Sequence, residues 1–187
     1  MQTIKQSDPR AAERRVYFTC VDTAALQTYL QASDMSTFTV KISKNGADAG
    51  AAAAAAPVQV DATDEKGVFY VELALADIDT VGTIVLNITN TGGTKTMEPR
   101  KIAVKIQQAF FGTVVSGLST TSFTLDRTET VDQFWRDCYA SVLTGALAGQ
   151  VKKIGGYVGS SKLFTLVPGV QFTGMLGTGD FVELITQ

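Results

Sequence analysis

Between residues 132 and 184 the chain turns so often that little besides antiparallel β structure fits it. Turn residues recur about every 8–12 positions, the rhythm of a small barrel or sandwich. DQFWRDC, at 132–138, leads into the apolar stretch YASV; a Gly/Ala turn and a second apolar strand with the basic pair Lys152 and Lys153 follow. A Gly/Ser hairpin, a third strand, the Pro168-Gly169 break and a closing GDFVEL strand complete the segment. Thr121–Leu125 precedes it as a strand and Asp126–Thr130 as a polar turn. One short helix is expected over Val131–Tyr139, with Thr130 as N-cap and Asp132 in the first turn, where the helix dipole favours it. That helix would gather Phe134, Trp135, Cys138 and Tyr139 on one apolar face.

The first half repeats the β pattern with different spacing. Arg15–Val21 is rich in β-branched and aromatic residues. In Thr37–Ser43, Phe38, Val40 and Ile42 alternate with Thr39, Lys41 and Ser43, which predicts one buried and one wet face. Asn45-Gly46 then supplies a strong hairpin signal, because both residues tolerate positive φ. The alanine run over Gly50–Ala56 is too short and uncapped for an isolated helix and reads as a loop or edge strand. Val58–Val60, Val68–Leu75, Thr83–Thr89 and Lys101–Gln107 are further strands, with a helical turn at Ala76–Thr80 and a hairpin at Gly92-Gly93. Asp22–Ser36 is open between a short helical turn, using Ala24, Ala25, Leu26, Tyr29 and Leu30, and a loop over the sheet edge. About seven short strands over ~95 residues predict an immunoglobulin-like β-sandwich, without the Cys…Trp…Cys core of an antibody domain. The fold class is therefore all-β: residues 1–14 an extended arm, 15–107 an Ig-like sandwich, 108–187 a small antiparallel barrel.

Composition narrows the chemistry. The chain has no histidine, which removes the commonest general base and metal ligand together. Cys20 and Cys138 lie in different halves and suggest buried free thiols, not a disulfide framework. Residues 1–107 hold eleven Lys/Arg against twelve Asp/Glu, and residues 108–187 five against six, so neither half has the basic excess that nucleic acid demands. MQTIKQSDPRAAERR has no apolar signal core, and the longest apolar run, Ala49–Pro57, is too short to span a membrane.

Motif-like stretches fail on spacing. Gly155–Lys162 lacks the G-x-x-x-x-G-K-[ST] pattern and sits between two strands, with no helix N-terminus to hold phosphate. Val115-Ser116-Gly117 lacks the glycine of a nucleophile elbow. Asp77 and Asp79, and the group Asp126, Glu129, Asp132 and Asp137, read as turn and cap residues, and Asn87-Ile88-Thr89 as strand. No catalytic, cofactor-binding or metal-binding residue is assigned, and a non-enzymatic role is expected.

Two stretches resemble modules of tailed-bacteriophage virion structural proteins. SDPRAAERRVYF, FTVKISKNGADAG and KGVFYVELALADIDTVGTIVLNITNTGG, within Ser7–Lys105, are similar to an N-terminal Ig-like module of head and tail appendage proteins. The Phe134–Leu184 cluster, with Thr144–Ile154, Tyr157–Ser160 and Gly179–Leu184 as its marks, is similar to a C-terminal module of such proteins. The resemblance implies a virion protein made in the host bacterial cytoplasm, with a capsid decoration (cement) role foremost. A neck, tail or fibre-anchoring component is the alternative. So is a receptor- or glycan-binding module stacking sugar on Trp135, Tyr139 or Tyr157. The implied partners are the major capsid protein or neck and tail proteins, and further copies of the chain, a trimer being favoured. The arm residues Ser7, Asp8, Pro9, Arg10, Arg14 and Arg15 are the expected subunit-interface residues. Neither nucleic acid nor membrane is an expected partner.

Overall fold

A computed structural model describes residues 1–187 apart from 25–27, 35–36, 52–55, 91, 96 and 187. The chain is all-β and divides into two compact units, Met1–Gln108 and Ala109–Gln187.

The first unit is built from β1 (Gln2–Lys5), β2 (Arg15–Thr19), β3 (Phe38–Lys44), β4 (Gly50–Ala51), β5 (Val58–Gln59), β6 (Val68–Glu72), β7 (Gly82–Asn90) and β8 (Arg100–Gln107). A five-stranded sheet runs β1-β8-β7-β3-β4 and a three-stranded one β2-β6-β5. This is immunoglobulin connectivity: β2-β6-β5 corresponds to B-E-D, and β8-β7-β3-β4 to G-F-C with an added C′ strand. Strand alternation fills the space between the sheets. Ile84, Leu86 and Ile88 of β7 and Val104 and Ile106 of β8 pack in one cluster with Val16, Phe18, Phe69 and Val71. Each such side chain contributes roughly 1.5–3 kcal/mol on burial.

Asn45 (φ 50°) and Gly46 (φ 82°) both take the left-handed conformation, as a type I′ turn requires. The Asn45 side chain then ties the turn to the next strand: Thr83 N–H donates to its Oδ1 (2.8 Å) and its Nδ2 donates to the Val81 carbonyl (3.1 Å). In the alanine run Gly50–Ala51 pairs with Ile42 and Lys41; Ala52–Ala55 lie outside the described residues. Ala25, Leu26 and Ser36 do too, so the open choice over Asp22–Ser36 is answered only in its described part, where Ala32–Asp34 forms a 3-10 turn. There Val21 bridges Tyr29, and Leu30 is fully buried.

The N-terminus departs from expectation. Residues 1–14 do not extend as an arm. Gln2–Lys5 forms β1, parallel to β8, with Ile4 opposite Ile106 and 2% exposed. One apolar side chain aligned with the interior row of β8, plus a ladder of backbone bonds, holds the segment against the domain.

The second unit is a closed barrel of β9 (Phe110–Gly117), β10 (Ser122–Leu125), β11 (Tyr139–Val142), β12 (Val151–Val158), β13 (Leu163–Leu166) and β14 (Phe181–Ile185). The order β10-β13-β12-β11-β14-β9 closes through β9–β10, and every pair is antiparallel. Inside, Phe164 stacks on Phe123 (centroids 5.2 Å apart), Phe172 meets Phe123 edge-on at 6.0 Å, and Tyr157 joins Phe164 at 4.7 Å.

The expected helix at Val131–Tyr139 is absent; the segment is a run of turns. Gln133 (φ 62°) and Asp137 (φ 67°) are left-handed, which an α-helix excludes. Their N–H groups donate to the Tyr157 (2.8 Å) and Ile154 (3.0 Å) carbonyls of β12, while Phe134, Arg136 and Cys138 donate three residues back. The aromatic face therefore splits: Trp135 is 1% exposed and Phe134 54%.

Candidate interaction surfaces

The six expected interface residues form a clasp inside the first unit. Ser7 takes a left-handed φ of 52° and donates its N–H to the Ile78 carbonyl (3.1 Å). That turn brings Asp8 to 1% exposure, where its carboxylate accepts from Arg10 N (3.0 Å), Nε (3.1 Å) and Nη2 (2.8 Å). Arg14 reaches further. Its Nη1 donates to the Asp8 and Pro9 carbonyls (3.0 Å each) and its Nε to the Leu73 carbonyl at the end of β6 (2.8 Å). Glu72 receives both Arg14 (3.4 Å) and Arg15 (3.7 Å), and the Arg15 guanidinium lies 4.5 Å over the Tyr70 ring. These side chains hold their own chain together.

Beside the clasp, the outward face of β2-β6-β5 carries a row that the sequence reading did not single out. Tyr17 opposes Tyr70, and Tyr70 opposes Val58. Tyr17 and Val58 are about half exposed, and a cleft of about 350 Å³ opens between Arg14, Val58, Tyr70 and Glu72. The signal was present in the alternation of Arg15, Tyr17 and Thr19 against buried Val16 and Phe18, but only the pairing with β6 shows that the tyrosines adjoin.

The barrel has a polar clasp of its own. Arg127 donates through Nε to Glu129 Oε2 (3.1 Å), through Nη2 to Glu129 Oε1 and through Nη1 to the Phe111 carbonyl (2.6 Å). Its guanidinium lies 5.3 Å over Trp135. The Glu129 carbonyl accepts from Tyr157 Oη (2.5 Å) and Lys162 Nζ (2.7 Å). Burial pushes the Glu129 carboxyl up, but the Arg127 hydrogen bonds and charge outweigh it and leave it below the usual range. Trp135 and Tyr157, offered to sugar in the glycan reading, are 1% and 0% exposed.

The carboxylates weighed in the sequence are dispersed. Asp77 accepts from Ala74 N–H (3.0 Å), Asp79 pairs with Lys44 (2.7 Å), Asp126 accepts from Thr113 N–H (2.5 Å) and Asp132 from Gly159 N–H (2.8 Å). Asp137 pairs with Lys153 (3.0 Å), whose hydrogen bond lowers the Asp137 carboxyl while the ammonium is raised in return. Among the described residues no three His, Cys, Asp or Glu gather as a metal would need. Burial pushes the Cys20 thiol up to about 12, and its sulfur lies 3.3 Å from that of Met97; Cys138 is raised by burial and by Asp137. Gly155–Lys162 spans the end of β12 and its turn into β13, and Ser116 lies within β9. No described helix is long and apolar enough to cross a membrane.

Compared with protein-family models, curated proteins and solved structures, the chain matches none.

Proposed function

We propose that this chain is a non-enzymatic structural component of a tailed-bacteriophage virion, foremost a capsid decoration protein that stabilises the particle through repeated subunit contacts. The observation that carries the reading is the fit of motif stretches to folded units. The stretch like an appendage-protein Ig module, Ser7–Lys105, falls inside the sandwich. The stretch like the C-terminal module, Phe134–Leu184, falls inside the barrel. The units are joined at Gln108–Ala109 with no fibre stalk between them, which favours a compact piece over a long fibre. The outward row of Tyr17, Tyr70 and Val58 supports adhesion, since aromatic residues are enriched where proteins meet. A stable contact in such a particle buries roughly 1,200–2,000 Å².

The test is light scattering behind size exclusion, followed by co-sedimentation with empty capsids of the phage that encodes the chain. Saturable binding to capsids is expected. A chain that ignores capsids while remaining folded would remove the decoration role.

A further inference from the structure

The outward side of the five-stranded sheet is a basic surface without a single acid among its described positions. β3 presents Thr39, Lys41 and Ser43; β8 presents Lys101, Ala103 and Lys105; β1 adds Lys5, and β7 between them only neutral side chains. Lys41, Asn87 and Lys101 share one cross-strand row, so the two lysines stand about 10 Å apart at ~4.8 Å per strand. Lys105 lies four residues further along β8, roughly 13 Å away. Lys41, Lys101 and Lys105 are exposed and have no ion pair.

The same unit holds the opposite charge elsewhere. The β5–β6 loop carries Asp61, Asp64 and Glu65, all exposed and none paired with a cation. Asp61 accepts from the N–H groups of Thr63 (2.5 Å) and Asp64 (2.8 Å), which lowers its carboxyl and fixes the loop. Among the described residues, apart from Lys66, at the end of the loop, and Asp48, between β3 and β4, these six are the exposed charged side chains of the sandwich with no ion pair. Three cations sit on one face and three anions on one loop.

We propose that this face docks the Asp61–Glu65 loop of a second copy of the chain, head to tail. The loop belongs to the opposite sheet, and the basic face points away from that sheet, so a chain does not satisfy itself. Two basic faces repel, which excludes a symmetric face-to-face dimer. A heterologous contact remains, and such contacts close into rings when the rotation between copies allows it. The occupant is protein, not nucleic acid: the face offers no aromatic side chain for stacking bases, and its backbone N–H groups are spent in the sheet. The inference rests on the structural-protein reading and names the contact through which its copies meet.

Sedimentation velocity of the full chain at 20 and 500 mM NaCl tests it. Association at low salt, lost at high salt where the Debye length falls to a few ångströms, is expected. K41E/K101E/K105E and D61K/D64K/E65K should each sediment as monomers at both salts. Mixed in equal amounts they should reassemble at low salt, because each restores the charge the other lost. The neutral sets K41Q/K101Q/K105Q and D61N/D64N/E65Q, each losing association, serve if a reversal fails to fold. A wild-type monomer at 20 mM salt, variants that still associate, or a mixture that stays monomeric would each overturn the contact. A duplex-DNA arm reports the rival ligand: retention of DNA lost in K41E/K101E/K105E would assign the face to nucleic acid instead. A chain that self-associates yet ignores capsids leaves this contact standing and removes the virion reading; a monomer that binds capsids does the reverse.

Discussion

The barrel has no sheet edge, whereas the sandwich leaves β1 and β4 at the margins of one sheet and β2 and β5 at those of the other. Their cores differ in step. The largest buried side chains of the barrel are Trp135, Tyr157, Phe123, Phe164 and Phe172; those of the sandwich are Phe69 and a set of Ile and Leu. Closure satisfies every strand internally and leaves a narrow interior that rings fill well. Two open sheets keep edges and flat outward faces available for other molecules. The tyrosine row, and the segregation of cations on one face from anions on the Asp61–Glu65 loop, lie on the sandwich. The barrel reads as the rigid body and the sandwich as the adhesive one.

The largest effect is expected in the barrel core. Trp135→Ala removes a ring that packs on Phe110, Phe134 and Arg127, and should cost about 3–5 kcal/mol. Calorimetry should show the barrel transition falling while the sandwich transition stays; equal shifts in both would break the contrast between the units. In the sandwich, Asp8→Ala strips Arg10 of its carboxylate and should cost about 1.5–3 kcal/mol, the value of hydrogen bonds to a charged group. Amide exchange should report β1 opening first, and unchanged protection of Ile4 would refute the clasp.

A smaller loss, about 1–2 kcal/mol, is expected for Asn45→Ala, which places alanine in a left-handed conformation and removes the side-chain bonds to Thr83 of β7 and to Val81 just before it. Urea titration reads it. At neutral pH the Cys20 thiol titrates in neither state. Its folded pKa is raised from 9.0 to about 12, so its contribution is complete below pH 9 and is lost as pH climbs toward 12. The fall is at most about 1.4 kcal/mol per pH unit. Subtracting the pH–stability curve of Cys20→Ala should isolate that slope, and parallel curves would place Cys20 in contact with water.

Strands with a clean apolar–polar alternation were legible, whereas β9 (Phe110–Gly117), at the expected domain boundary, was not. The alternation in Thr37–Ser43 and the Asn45-Gly46 pair describe β3 and its turn correctly, because period two and positive φ are local properties. The turn run at Val131–Tyr139 was not legible. Phe134, Trp135, Cys138 and Tyr139 have helical spacing, but two of the segment's N–H groups are claimed by β12, some twenty residues on. The N-terminal strand failed for the same reason: Ile4 alone signals little until β8, a hundred residues away, offers it a row to join. Arg14 looked like an interface arginine because nothing near it in sequence reveals the Leu73 carbonyl. Even the separation of charges is hidden until the pairing of β3, β7 and β8 places their lysines side by side.

A protein inventory by mass spectrometry of gradient-purified phage particles tests the virion role most directly. The intact chain should copurify with the major capsid protein at a fixed ratio across the particle peak. Particles of full infectivity that lack the chain would contradict a structural place in the virion.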